Sequence, residues 1–142
     1  MTSSPFHLDG KTVLISGAGG GIGQSLVAAF RAAGAKVIGA DREASMLDGL
    51  DLAGSVLFDQ ADAKGTRAAI ERYLTEHGAP DAVVSNAGFT RAETLDQLDD
   101  DVWASELAIN LSGAYAMTDP IVAAMAKRGS GSLVFKIGRA HV

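Results

Sequence analysis

The sequence predicts an α/β chain built on a doubly wound parallel sheet, and three observations carry that prediction. Strand-like and helix-like segments alternate along the chain as βαβαβαβαβ. The strand segments are short and apolar with little in-out alternation, as in strands covered by helices on both faces. The first strand runs directly into Ser16-Gly17-Ala18-Gly19-Gly20-Gly21-Ile22-Gly23, a glycine-rich turn that opens a helix.

The first strand is expected over Lys11–Ser16, where Val, Leu and Ile follow one another. A helix over Ile22–Ala33 places Ile22, Leu26, Ala29 and Phe30 on one face and is stopped by Gly34. Lys36–Ala40 reads as the second strand, Ala44–Leu50 as a short helix and Ser55–Phe58 as the third strand. Asp62 is placed to cap a helix over Lys64–His77, whose apolar face is Ala69, Ile70, Tyr73 and Leu74 and whose end is marked by Gly78 and Pro80. Asp81–Ser85 is the fourth strand. Asp100–Lys127 is mostly helical and opens on Asp99-Asp100-Asp101, acidic residues that suit the positive end of a helix dipole better than they suit a metal. Ser132–Phe135 begins a fifth strand. The order expected for such a Rossmann-type sheet is 3-2-1-4-5.

Composition narrows the function. The chain has 142 residues, enough for one domain, with 47% hydrophobic and 20% charged residues, a net charge of −5 and no cysteine. The acidic balance argues against a nucleic-acid partner, and the missing cysteines remove disulfides, thiol catalysis and cysteine-held metals. His7, His77 and His141 have no ligand spacing. No apolar run approaches the ~20 residues of a membrane span, and Met1–Asp9 does not read as a signal peptide; a cytoplasmic protein with no membrane partner is expected.

The glycine-rich turn is the chemical signal. The first amides of a helix lack intrahelical acceptors and carry partial positive charge, so they attract phosphate oxygens, and glycine lets the backbone approach a pyrophosphate. Asp41 follows the second strand, where an acidic residue accepts hydrogen bonds from an adenosine ribose and repels a 2′-phosphate. That favours NAD over NADP. Arg42 beside it weighs the other way, because a guanidinium is able to receive a phosphate. Read alone, Asp59 is a loop residue, Asn86 a turn former and Asn110 a mid-helix residue whose side chain competes with the backbone. Trp103 reads as a packing residue.

Together these segments resemble the short-chain dehydrogenase/reductase family. Ser16-Gly17-x-x-x-Gly21-Ile22-Gly23 is similar to the family's Thr-Gly-x-x-x-Gly-x-Gly, with the hydroxyl kept, and Ser85-Asn86-Ala87-Gly88 to its Asn-Asn-Ala-Gly. The resemblance covers about Leu8 to Phe135. It implies that Ser16, Gly17, Gly19, Gly21, Ile22 and Gly23 hold the cofactor's phosphates. Asp41 and Arg42 would then flank the ribose, and Asp59, with Gln60 beside it, the adenine. Asn86, Ala87 and Gly88 would pack against the cofactor, and Asn110 would hold a water of a proton relay. It also implies a secondary alcohol or ketone substrate, a nicotinamide cofactor and a homo-oligomeric parent enzyme.

The family's catalytic Ser and Tyr-x-x-x-Lys have no counterpart: Tyr73 is followed four residues on by His77 and Tyr115 by Asp119, and Ile137 or Gly138 stands where the Ser belongs. Residues 1–135 are therefore expected to form a NAD(P)-binding domain that is incomplete after the fifth strand, inactive alone and with that strand as an open edge. Lys136-Ile-Gly-Arg-Ala-His-Val142 resembles the translation of a common sequencing adapter, so 136–142 is expected to be a non-native tail; natural truncation or a divergent tail is the competing reading. Two other function classes stand beside the enzyme fragment. One is a non-catalytic NAD-binding regulatory module. The other is a different Rossmann class such as a methyltransferase, which Ser85-Asn86-Ala87-Gly88 and Asn110 disfavour.

Overall fold

The computed structural model describes residues 6–91 and 94–137. Five strands, β1 (Thr12–Ser16), β2 (Lys36–Asp41), β3 (Gly54–Leu57), β4 (Ala82–Ser85) and β5 (Ser132–Phe135), form one parallel sheet in the order β3-β2-β1-β4-β5. The order is the expected one. The helices are α1 (Gly21–Ala32), α2 (Ala63–His77), α3 (Asp100–Leu107) and α4 (Ala114–Arg128), with a π-helical turn over Ala108–Gly113 joining the last two.

Because helices cover both faces, the core divides into two clusters. Leu14, Ile38, Ala40, Val56 and Val83 on one face pack against Ile70 and Tyr73 of α2 and Met117, Ile121 and Met125 of α4. Val13, Ile15, Val37 and Val84 on the other face pack against Val27 of α1 and Leu47. The apolar face expected for α2 is the observed one, since Ala69 and Leu74 pack against the first cluster. Asp62 caps α2 by accepting from Gly65 N–H, and Asp99 caps α3 by accepting from Val102 N–H.

Three expectations are corrected. The stripe that α1 buries is Gly23, Leu26, Val27 and Phe30, whereas Ile22 is 56% exposed and Ala29 is exposed; Ile22 lies in the first turn of α1, beside the open space at Gly21. The segment after β2 is a single 3-10 turn, Ala44–Leu47, that seats Leu47 in the core. Trp103 is 55% exposed because Val102 is the residue α3 turns inward. Asp100–Lys127 is mostly helical as expected, with the π turn that carries Asn110 between α3 and α4.

Among the described residues β5 has β4 as its only neighbour, and Lys136 N–H continues their ladder by donating to the Ser85 carbonyl. Val134 and Phe135 are about half exposed on it. Of the expected tail, residues 138–142 lie outside the described residues, as do residues 1–5 of the N-terminal segment. Among the described residues no helix is long and apolar enough to cross a membrane.

Candidate functional site

The sheet changes winding direction at β1, which has β2 on one side and β4 on the other. A crevice outside the carboxyl ends of the strands belongs at such a point, and the glycine loop, Asp41 and the loop after β4 meet there.

Ser16 ends β1 fully buried, and its Oγ accepts from the N–H of both Asn86 and Ala87 at 3.0 Å. The Asn86 side chain returns the contact, with Nδ2 donating to the carbonyls of Ser16 (3.0 Å) and Gly17 (3.3 Å). Gly17 has φ 63°, and a Cβ there would stand 2.9 Å from Ala87 Cα. Glycine is therefore required both for the turn and for the approach of the two loops.

Beyond it, α1 begins without a cap. Gly20 occupies the N-cap with no side-chain acceptor, and the first turn contains no acidic residue. A Cβ on Gly21 would meet nothing within 4 Å, so open space lies against the helix start. α2 and α3 place their own carboxylates at this position; α1 leaves its amides unclaimed. Exposed Ile22 borders the same opening.

Asp41 ends β2 and is held by two backbone amides: Oδ2 accepts from Gly19 N–H at 2.9 Å and Oδ1 from Arg42 N–H at 2.8 Å. The Arg42 guanidinium lies 3.6 Å from Glu43 Oε1, so the cation next to Asp41 already has an anionic partner. Asp59 turns its Oδ1 back to Ala61 N–H, leaving its side chain exposed after β3.

Gln60 has a role that the sequence alone did not disclose. It is buried, and its Nε2 donates to the carbonyls of Ile109 (2.8 Å) and Ala87 (3.4 Å), tying the π turn to the loop after β4. A Cβ on Gly113 would run into the Gln60 carbonyl, so only glycine lets the π turn come this close. Gln60 Oε1 and Asn86 Oδ1 are the two buried side-chain atoms without a hydrogen-bond partner among the described residues. Buried polar atoms of this kind ordinarily find a water or a ligand.

Asn110 reaches across to Phe89, accepting its N–H on Oδ1 at 2.8 Å and donating from Nδ2 to its carbonyl at 2.6 Å. Gly88 lies between, exposed, and a Cβ on it would stand 3.4 Å from Asn110 Oδ1. Glu106, which sequence reasoning missed, steadies the same loop through Thr90 Oγ1 and Arg91 N–H.

Neither tyrosine stands in for the missing acid-base pair. Tyr73 belongs to the core, where burial raises its pKa, and Tyr115 is exposed with the Arg67 guanidinium over its ring at 5.5 Å. Among the described residues no group of three or more His, Cys, Asp or Glu could hold a metal.

The site thus offers uncapped helix amides facing open space and a fixed carboxylate. Those groups fit the phosphates and ribose hydroxyls of an adenine dinucleotide.

Known proteins are similar to this chain in sequence and in fold. A family model described as short chain dehydrogenase matches residues 11–138. The chain is 34% identical over 137 residues to a D-threitol dehydrogenase of Mycolicibacterium smegmatis, covering 91% of this chain and 53% of that protein. It is 35% identical over 136 residues to a galactitol 2-dehydrogenase (L-tagatose-forming) of Cereibacter sphaeroides, with the same coverages of 91% and 53%. Among solved structures, a gluconate 5-dehydrogenase from Burkholderia cenocepacia in complex with NADP and tartrate superposes with a TM-score of 0.81 at 30% identity, covering 96% of this chain and 59% of that one. The chain spans about half the length of the curated relatives it matches.

Proposed function

The chain belongs to the short-chain dehydrogenase family, and from that premise we propose that it is the cofactor-binding part of a NAD(P)-dependent oxidoreductase that interconverts a secondary alcohol and a ketone. The observation that carries this reading is the uncapped start of α1, open beside Gly21 and flanked by the fixed Asp41 carboxylate. The amides of Gly21, Ile22 and Gly23 would take the pyrophosphate and Asp41 the adenosine ribose. Asp59 and Gln60 would border the adenine, and Asn86, Ala87 and Gly88 would line the cofactor's path towards β4. When bound, a nicotinamide cofactor supplies the hydride exchange.

NAD is the proposed partner in preference to NADP. Asp41 places a negative charge where a 2′-phosphate would lie, and Arg42 is engaged with Glu43. Polyols and sugar acids are the proposed substrate class, a reading supported by the names of the dehydrogenases similar to this chain. Asn110 would hold a relay water through its backbone, since both polar atoms of its side chain are engaged with Phe89. Self-association of the parent enzyme is supported by Trp103, Leu107, Leu111, Tyr115 and Val122, exposed at helical spacing from α3 to α4.

The chain's own residues supply binding and orientation but no proton donor, because neither of its two tyrosines has a lysine four residues on. Titration with NAD tests the reading. Saturable binding that is weakened in Asp41→Ala is expected, with no NADH formed from a panel of secondary alcohols and polyols. A folded chain that does not bind NAD overturns it. A second reading, a non-catalytic NAD-binding module, would use the same glycine loop and Asp41 and needs no Tyr-x-x-x-Lys. The coding DNA downstream of Phe135 separates the two: a frame that continues into Ser and Tyr-x-x-x-Lys supports the enzyme.

A further inference from the structure

We infer that Gly19, a position of the glycine-rich loop fixed on three sides, is a positioning residue that sets the preference between NAD and NADP, an inference that rests on the cofactor reading above. Its amide is not a phosphate donor, because it is already committed to Asp41 Oδ2 at 2.9 Å. Its carbonyl accepts from Gln24 Nε2 at 2.8 Å, which fixes the peptide from the side of α1. Its Cα lies against the backbone of Met46, and a Cβ would run into the Met46 carbonyl oxygen and stand 2.8 Å from the carbonyl carbon.

Three elements therefore close on one residue: the end of β2 through Asp41, the first turn of α1 through Gln24, and the 3-10 turn Ala44–Leu47 through Met46. The 3-10 turn cannot retreat easily, since Leu47 is seated in the core and Met46 N–H is bonded to the Glu43 carbonyl. A side chain at 19 must then displace residue 19 itself, and the movement takes its N–H off the Asp41 carboxylate.

A carboxylate with one amide on each oxygen cannot swing aside to admit a 2′-phosphate, and its remaining lone pairs stay aimed at ribose hydroxyls. Released from Gly19, the same carboxylate keeps only the amide of its neighbour Arg42 and can turn about that single contact. Discrimination would weaken while the charge remains.

The test titrates the unsubstituted chain, Gly19→Ala, Asp41→Ala and the double variant with NAD and with NADP. Gly19→Ala is expected to weaken NAD about tenfold and NADP less, so that the NAD:NADP affinity ratio falls at least about threefold, as loss of one hydrogen bond to a charged group implies. In the Asp41→Ala background the second substitution is expected to leave the ratio unchanged, because both act through one carboxylate. Equal losses of NAD and NADP in Gly19→Ala, the signature of a damaged phosphate loop, overturn the inference. Absence of NAD binding by the folded unsubstituted chain overturns the cofactor reading itself. A measurement that does not depend on Gly19→Ala folding is amide exchange at Gly19, which is expected to be at least about tenfold faster in Asp41→Ala than in the unsubstituted chain; equal rates remove the lock.

Discussion

The side-chain amide of Asn110 bonds both backbone groups of Phe89, accepting at 2.8 Å and donating at 2.6 Å. A single residue of the π turn thus fixes the path of the chain as it leaves β4. π turns inside α-helices recur at functional sites, and here the extra residue per turn brings Asn110 to the loop and Ile109 to Gln60. Asn110→Asp is expected to destabilise the chain more than its size suggests. The second carboxylate oxygen would face the Phe89 carbonyl, where only a donor fits. A loss of about 1–2 kcal/mol in urea unfolding is expected, with broadened resonances at Phe89 and Thr90; wild-type stability would contradict the assignment.

Ser16→Ala should be costly for a surfaceless reason. Its hydroxyl is the acceptor for two amides, Asn86 and Ala87, and alanine leaves both without a partner in a buried place. The expected loss is about 2–4 kcal/mol in chemical denaturation. Ser16→Thr keeps the oxygen and is expected to recover most of it.

Asp81 gives stability an acid limb. Its carboxylate accepts from Thr12 N–H at 2.9 Å and lies 3.4 Å from Lys11 Nζ, and these two contacts, the amide first, lower its pKa. A lowered folded-state pKa adds stability above the ordinary carboxylate value of about 4, and the gain disappears as pH falls through the folded value. Asp81→Asn is therefore expected to be less stable than the parent at pH 7 by up to about 1 kcal/mol, with the two melting curves converging towards pH 3. A constant offset across that range would show that Asp81 acts without its charge.

Gly113→Ala tests the approach of the π turn to Gln60. The added methyl meets the Gln60 carbonyl, so either Gln60 or the turn must move, at about 1–3 kcal/mol. Hydrogen exchange should report the displacement at Ala87, Ile109 and Phe89 together, because Gln60 and Asn110 join them. Change confined to Gly113 itself would break that connection.

The strand order, the glycine loop and the cap at Asp62 were legible because each depends on local pattern: apolar runs, glycine clusters and an acid just before a helix. The exposure of Ile22 and Trp103 was not, since helical periodicity tells which residues share a face but not whether anything packs on it. Nor was the π turn, which depends on bonds from Gln60 and Asn110 to residues distant in sequence. At the site, Asp41 was visible by its register with the loop, whereas the hold of Gly19 and Arg42 on its carboxylate needed coordinates.

The bare N-terminus of α1 sets stability against purpose. Gly20 has φ −73° and ψ 165°, the extended geometry in which Asp or Ser serves as an N-cap. Aspartate there would stabilise the helix by roughly 0.3–1 kcal/mol, mostly through its charge because glycine is itself only a few tenths worse as a cap, and would place a carboxylate over the amides proposed for phosphate. The mutation that an engineer would choose for thermal resistance is thus a permanent, tethered competitor of the cofactor. Screens that reward melting temperature alone should enrich it, and screens that reward binding should discard it.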